Sequence, residues 1–353
     1  MKKIICLSMC ILLSLLAFVG CSQATVPNTT AMWGNNETIH YTVRKASKAE
    51  LIYSEVSATM QRIPDDVTGT YATTITKGES TYTLSTEYVV TETYNFNAGD
   101  KLLEKAKAIA DSYDFITVDG NTVTVNVSIY GTCVFNMNDF LPQNSSKQIK
   151  SVVFINETTV NVFNKKTYEC QCSVNDVNTV VTYDYSAKKP KATVKTNGTE
   201  EVVTLAKTTK TKTYDNEQLG FLLRSFKWND LVSNGNTTIS VFDGSGSASA
   251  LSVVAKASSK GEFDYYIGGV WETALSSYEF TYYKDGENYV DLKNNVVEVT
   301  KRKVAEVGVS TGGIPILYYF DHETASSTST YKMVRMQQGY VICDVTDPSA
   351  LDS

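Results

Sequence analysis

The chain has 353 residues, of which 38 are acidic and 32 are basic, so its formal net charge is −6 at pH 7. This acidic balance disfavours nucleic acid and anionic lipid headgroups as partners, because both attract basic surfaces. The 22 tyrosines, against 3 tryptophans and 2 histidines, favour half-buried strands and disfavour a histidine-rich metal site.

A signal peptide is predicted at the start of the chain. Lys2 and Lys3 precede an uncharged apolar run at residues 4–19, which is followed by a glycine and then Cys21. The run is shorter than the ~20 residues that cross a bilayer as a helix, and it is typical of the apolar region of a signal peptide. We therefore expect residues 1–20 to be removed from the folded protein.

The stretch Ala17-Phe18-Val19-Gly20-Cys21 resembles the lipobox of bacterial lipoproteins, whose signal peptidase cuts before an acylated cysteine. Phe18 departs from that pattern, since lipoproteins usually carry Leu, Val or Ile there. The resemblance implies that Cys21 is lipidated, with palmitate or a similar acyl chain, and that this lipid anchors the protein to a membrane. The implied location is the bacterial cell envelope, with the folded part outside the cytoplasm. Ordinary secretion after cleavage is the alternative.

A flexible tether is predicted over residues 21–38, which are polar and show no hydrophobic period. A first β-rich module follows over residues 39–175. A capping box and apolar residues at helical spacing predict a helix at residues 48–63 of this module. A second amphipathic stretch predicts a helix at residues 99–113. The remainder of the module is predicted to form strands and hairpins, with an alternating strand at residues 123–135.

A second β-rich module is predicted over residues 176–353. Asp215 and Gln218 have capping-box spacing before an apolar face, which predicts a helix at residues 215–228. Both modules contain strands, a tyrosine, an amphipathic helix, a Gly-Asn turn and an alternating strand in the same order, with Tyr94 and Tyr214 in equivalent places. This shared order is either a diverged duplication or a coincidence of common helix and turn signals.

The predicted fold class is α+β, with long antiparallel β meanders, two or three packed amphipathic helices and a two-fold internal repeat as one option. This plan resembles that of the LolA-like lipoprotein carriers, in which a helix covers a curved sheet. The resemblance is one of architecture, and it implies no site residues.

Four cysteines remain after Cys21. Strand alternation places Cys133 and Cys343 on apolar faces, while Cys170 and Cys172 share one face of a strand. Three interpretations remain: small hydrophobic residues in the core, a disulfide in an oxidising compartment, or a Cys-x-Cys metal site. The metal site is the least favoured, because no histidine lies close in the sequence to complete it.

A G-x-S-x-G sequence around Ser310 resembles the nucleophile motif of hydrolases. In that motif the serine stands between a strand and a helix, with an acid and a histidine as partners. Here a proline-containing strand follows, and Asp321 and His322 are adjacent downstream. We interpret the motif as a hairpin turn and Asp321-His322-Glu323 as a solvated loop. We therefore expect no catalytic residue, no metal ligand and no cofactor.

Paired tyrosines at residues 265–266, 282–283 and 318–319 place one ring on each face of a strand. Most are expected in core or cross-strand packing, although an exposed row suits sugars or proteins and a concave sheet suits an apolar ligand. The sequence predicts a non-enzymatic envelope lipoprotein that binds an apolar ligand or an envelope protein, with the binding residues unassigned. A structural or adhesive surface protein is the alternative, and a hydrolase is less favoured.

Overall fold

The computed structural model describes residues 36–46, 61–162, 165–205, 212–226, 236–244, 251–266, 282–285, 288–291, 296–297, 301–310, 316–321, 331–347 and 350. Within these residues the chain forms a 16-stranded sheet and a separate sheet of three short strands. Neighbouring strands of the large sheet run antiparallel, except for one parallel pair at its edge.

The large sheet contains long strands from the whole described part of the chain. They are β1 (Asn36–Lys45), β2 (Asp66–Lys77), β3 (Thr81–Asn95), β4 (Ile116–Asp119), β5 (Thr122–Asn136), β6 (Pro142–Val162), β7 (Lys165–Asp184), β8 (Lys191–Thr196), β9 (Thr199–Thr204), β10 (Thr213–Asp215), β11 (Asn236–Phe242), β12 (Leu251–Tyr266), β16 (Lys301–Ser310), β17 (Ile316–Asp321), β18 (Met333–Gln338) and β19 (Val341–Val345). The small sheet contains β13 (Tyr282–Asp285), β14 (Asn288–Asp291) and β15 (Val296–Val297).

The predicted α+β class is wrong, because strands dominate the described residues and the helices there are short. The helical elements are α1 (Lys101–Ala110), a 3-10 helix (Asn216–Gln218) and α2 (Leu219–Arg224). The strands are long because threonine, valine and tyrosine fit a pleated surface and because neighbouring strands stay paired along their length. β3, for example, lies opposite β5 along all 15 of its residues. The fold is therefore mainly antiparallel β.

Both predicted modules lie in the one large sheet. The strand order is β10-β11-β12-β16-β17-β18-β19-β1-β2-β3-β5-β6-β7-β8-β9, with β4 also paired to β5. Strands from the two ends of the chain meet inside this order, since β1 pairs with β19 and Tyr41 lies opposite Val345. The predicted module boundary, between residues 175 and 176, falls inside β7. The boundary therefore does not separate two sheets.

The topology does not repeat between the two halves. Tyr94 lies near the end of β3, which is antiparallel to β5, the long strand that follows α1. Tyr214 lies in β10, which is parallel to β11, the strand that follows α2. Equivalent strands therefore run in opposite relative directions, which does not support a duplication.

The helix predicted at residues 99–113 is confirmed in shortened form as α1. Asp100 caps it by accepting a hydrogen bond from the Leu102 backbone N–H at 2.8 Å, and the face with Leu102, Leu103 and Ala106 is buried. The helix predicted at residues 215–228 is confirmed as the 3-10 helix followed by α2, and residues 227–228 lie outside the described residues. None of the helices that the structure describes is both long and apolar enough to cross a membrane.

Two N-terminal predictions fall largely outside the described residues. The helix predicted at residues 48–63 is described only from Gln61, which forms an isolated β-bridge with Ile155 and is not helical. The tether predicted at residues 21–38 is described only from Asn36, where β1 begins. The last three residues of the predicted tether are therefore strand.

The large sheet curves around the segment at residues 213–226, which is called the inner segment below. Within this segment, Gln218 contacts β5, Gly220 lies against β17, and Arg224 forms an ion pair with β1. Because strands from separate parts of the sheet contact one short segment, the sheet encloses it. The main apolar core lies between the two, and it includes buried side chains of α2 such as Leu222.

Candidate functional site

A cavity of about 570 Å³ lies between the inner segment and the concave face of the large sheet. Residues of β1, β2, β3, β5, β17 and the β18–β19 turn form one side, and the 3-10 helix and α2 form the other. Much of the lining is apolar, and it includes Val127, Ile129, Phe221, Ile316 and Met336. The volume falls within the range of roughly 300–1,000 Å³ that is usual for small-molecule pockets.

Three tyrosines form a row along one wall of this cavity. Tyr41 on β1 lies opposite Tyr71 on β2, and Tyr71 lies opposite Tyr88 on β3. The ring centroids are 5.4 Å apart in the first pair and 6.4 Å apart in the second. Ile129 on β5 lies opposite Tyr88 and continues the row. The strand register therefore places three rings and an aliphatic side chain side by side.

The hydroxyls of Tyr71, Tyr88 and Tyr318, all of which line the cavity, make no hydrogen bond with the described residues. Tyr318 is only 6% exposed. Burial raises the pKa of all three phenols, so they stay neutral at physiological pH and can both donate and accept. Because buried polar groups in native proteins are normally paired, these hydroxyls are available to a ligand or to water.

Glu92 is the one charged side chain on the inner face of β3, and it is 5% exposed. Tyr94 Oη donates a hydrogen bond to Glu92 Oε2 at 2.7 Å, and Tyr340 Oη donates one to Oε1 at 3.0 Å. Burial raises the pKa of Glu92, and the two tyrosine hydroxyls only partly offset that effect. Among the described residues, no cationic group lies within ion-pair distance of this carboxyl.

The other charged side chains that line the cavity are paired. Arg224 on α2 donates to both carboxyl oxygens of Glu37, at 2.5 Å from Nη1 and 3.1 Å from Nη2. Burial acts against ionisation of Glu37, but the guanidinium of Arg224 prevails and lowers the pKa of that carboxyl. Glu217 accepts a hydrogen bond from Lys147 Nζ at 2.7 Å. Glu92 is therefore the charged side chain of the described lining that has no oppositely charged partner.

Asp215 fixes the start of the inner segment. Its Oδ1 accepts from the Glu217 backbone N–H at 2.7 Å, and Gln218 accepts from the Asp215 N–H, which confirms the predicted capping box. Its Oδ2 accepts hydrogen bonds from the hydroxyls of Ser145 and Tyr183. Burial nevertheless raises the pKa of Asp215 to about 6. The capping carboxyl is therefore held from two strands of the sheet as well as by its own helix.

A second cavity, of about 460 Å³, shares Glu217 with the first and lies against β6, β7 and β8. Its charged lining residues include Asp215, Glu201, Asp243 and Lys147. Within the ranges that the structure describes, no group of three or more histidine, cysteine, aspartate or glutamate side chains is arranged to hold a metal ion.

Cys21, the predicted lipidation site, lies outside the described residues. The other four cysteines are free thiols, and Cys133 and Cys343 are buried, which confirms the core position predicted from strand alternation. Cys170 and Cys172 are half-buried, and burial raises the pKa of Cys172 to about 11. The disulfide alternative is therefore not adopted by these four residues.

The G-x-S-x-G sequence begins inside a strand, and its last two residues, 311–312, lie outside the described residues. Ser310 is the last residue of β16, which pairs antiparallel with β17, and Val309 lies opposite Ile316. The predicted solvated loop is wrong for Asp321, which is fully buried because β17 extends through it opposite Val304. His322 and Glu323 lie outside the described residues.

Several cavity residues were not predicted from the sequence, and Glu92 is the clearest example. Its neighbours at alternate positions of β3, Leu84, Val90 and Tyr94, are buried. A single acid on an apolar strand face is an unfavourable arrangement that calls for a partner or a function. That local pattern was the available signal for Glu92. Tyr318, by contrast, belongs to one of the tyrosine pairs singled out in the sequence.

A comparison with protein-family models found no match, and a comparison with curated proteins found none either. Among solved structures, the chain is similar to a β-barrel-like protein of the domain of unknown function DUF1849 from Brucella abortus. The two share 10% sequence identity over 90% of this chain and 100% of that chain, with a TM-score of 0.40.

Proposed function

We propose that the protein is a non-enzymatic binding protein of the bacterial cell envelope, and that it carries an apolar ligand in the cavity beneath the inner segment. The cavity of about 570 Å³ is the observation that carries this proposal. This cavity is a partly open, concave pocket, and its volume and mixed lining match those of small-molecule sites. A cavity of this size is therefore best explained as a space for a ligand.

The cavity lining combines apolar side chains with polar groups, as small-molecule sites do. The hydroxyls of Tyr71, Tyr88 and Tyr318 lack partners among the described residues, and they stand among apolar side chains. A ligand with an apolar body and a small number of hydrogen-bonding atoms would satisfy both parts of the lining. This pattern supports an amphiphile more than a sugar or a nucleotide.

The position of the tyrosines favours ligand carriage over adhesion. Five tyrosines line the cavity. Among the tyrosine and phenylalanine side chains whose burial the structure describes, which do not include those of β12, β13 and β14, Tyr130 alone is exposed. A surface that stacks on sugars or docks a protein needs several exposed rings close together.

The direct test is mass spectrometry of the protein after purification from cells that express it together with its complete signal peptide. We expect a small apolar molecule to be released from the protein at about one equivalent. Repeated preparations without any bound molecule, together with no binding of the neutral dye Nile red, would refute carriage.

A matched pair of variants locates the site. Ile129→Trp places a large ring in the cavity, so we expect Nile red binding to fall about tenfold or more. Tyr130→Trp changes the next residue of β5, whose side chain is exposed on the opposite face, and it should bind as the wild type does. Equal loss in both variants would place the dye elsewhere.

The proposed anchoring at Cys21 has a separate test. Labelled palmitate should enter the wild-type protein and not the Cys21→Ala variant, because the acyl chains of a lipoprotein are attached through that cysteine. Equal labelling of the two proteins would contradict the anchor and leave the cavity proposal untouched.

A further inference from the structure

Glu92 gives the cavity a charge that the described protein residues do not balance. Arg224 is paired with Glu37, and Glu217 is paired with Lys147, whereas the partners of Glu92 are two neutral hydroxyls. A buried carboxylate without a cation is unfavourable, because the low-dielectric interior stabilises its negative charge less well than water does. The cavity therefore favours a ligand that brings a positive charge.

We propose that the cavity binds an amphiphile with a primary ammonium head group, with the head beside Glu92 and the apolar tail along the tyrosine row. This inference rests on the proposed carriage of an apolar ligand and adds the charge of its head group.

The carboxyl of Glu92 has acceptor capacity left for such a head group. Each carboxylate oxygen has two lone pairs, and each oxygen of Glu92 accepts one hydrogen bond, from Tyr94 or from Tyr340. An ammonium group has three donors and no acceptor. It can therefore bond to both oxygens without displacing either tyrosine, and charge-assisted bonds of this kind are among the stronger ones in proteins.

Aromatic rings close to the carboxyl add to the preference for a cation. Tyr340 touches Glu92 through its hydroxyl, and Tyr88 lies on the same face of β3. The face of a tyrosine ring carries negative potential, so it attracts ammonium groups.

The apolar tail has a path away from the carboxyl. Val127 and Ile129 on β5 line the cavity beside Tyr88, and Ile316 and Met336 also line it. The hydroxyl of Tyr318 remains free in this region to bond a polar atom of the ligand or a water molecule. The lining thus changes from acidic at Glu92 to apolar along the tyrosine row.

Calorimetric titration of the full mature chain, carrying Cys21→Ala so that it stays in solution, tests the inference. The probes are decylammonium, decanol and decanoate, which share one tail and differ in head-group charge, each used below the concentration at which it aggregates. We expect decylammonium to bind at least about tenfold more tightly than decanol, and decanoate to bind more weakly than both.

Glu92→Gln removes the charge and keeps the shape of the side chain. We expect it to weaken decylammonium binding about tenfold or more and to leave decanol binding within about twofold. Glu87→Gln is the matched control, because Glu87 lies on the exposed face of the same strand. It should change neither affinity.

The possible failures are distinguishable. Equal affinity for decylammonium and decanol, or an unchanged decylammonium affinity in Glu92→Gln, would overturn the cationic head group while keeping carriage of an apolar ligand. Tighter binding of decanoate would overturn it in favour of recognition by Arg224. Binding of none of the three probes, together with an empty protein from cells, would overturn both proposals.

Discussion

Tyr340 donates a hydrogen bond to Glu92 at 3.0 Å, although 248 residues separate the two in the chain. The contact holds the β18–β19 turn against β3 at one end of the cavity.

Because this hydrogen bond favours the ionised carboxyl, we expect Tyr340→Phe to raise the pKa of Glu92 further. A carbon-13 NMR titration of labelled glutamate side chains measures it. Tyr130→Phe removes an exposed hydroxyl and should leave that titration unchanged; the same result for Tyr340→Phe would contradict the contact.

Asp215 should make the protein less stable as the pH rises. Its pKa in the folded protein is about 6, above the ordinary value of 3.8, so the folded state holds this proton more tightly than the unfolded chain. Its contribution to stability is therefore complete below pH 3.8 and is lost as the pH rises through about 6. Across this interval the free energy of unfolding should fall by at most about 3 kcal/mol because of Asp215.

Urea unfolding at a series of pH values measures this dependence. Asp215→Asn keeps a helix-capping side chain but does not titrate, so the decline in unfolding free energy across this interval should flatten. Asp184→Asn is the control, because Asp184 is exposed and its pKa is lowered, which places its titration below the interval. A decline of equal size in Asp215→Asn would assign the dependence to another group.

The ion pair between Arg224 and Glu37 should stabilise the inner segment strongly. Both side chains are largely buried, with 3% and 14% exposed, and Arg224 Nε also donates to the Tyr331 carbonyl at 2.6 Å. Replacing Arg224 with methionine leaves a buried carboxylate without its partner, which costs about 3–5 kcal/mol. Chemical denaturation with tryptophan or tyrosine fluorescence measures the change.

A surface ion pair provides the comparison for Arg224. Lys107 and Glu104 form an exposed pair on α1, with 44% and 63% of their side chains accessible. Lys107→Met should lower the free energy of unfolding by less than about 0.5 kcal/mol. A similarly small effect of Arg224→Met would show that the inner segment is not held by this contact.

The cysteines should differ in their reaction with a thiol reagent. Cys133 and Cys343 are fully buried, and burial raises the pKa of both thiols, so we expect them to react only after unfolding. Cys170 and Cys172 are half-buried and should react first in the native protein. Mass spectrometry of labelled peptides identifies the sites. Fast labelling of Cys343 in native protein, or a disulfide found between any two of the four, would contradict the structure.

Local patterns in the sequence predicted local structure well. Alternation at residues 123–135 correctly placed Cys133 on the buried face, and the spacing of Asp215 and Gln218 correctly located a capped helix. These features depend on residues that are close in the chain, and so on periodicity and capping chemistry that a single sequence displays.

The sheet and the cavity could not be predicted in the same way, because they depend on which strands become neighbours. Tyr41, Tyr71 and Tyr88 form a row only through the registers of β1, β2 and β3, and the sequence does not specify those registers directly. The fold class was wrong for a different reason: the described helices, α1 and α2, are short, whereas paired strands dominate the described residues.

The pairing of β1 with β19 also has a consequence for folding kinetics. Thr42 and Thr346, hydrogen-bonded to each other across these strands at 3.0 Å, are 304 residues apart. Contacts of such long sequence separation form slowly, because a long loop must close before they stabilise the chain. The first strand of the sheet has no partner on this side until the last strand has been synthesised. The edge of β1 that faces β19 would therefore stay unpaired in the growing chain until that distant strand has been made, which leaves the sheet incompletely paired up to that point.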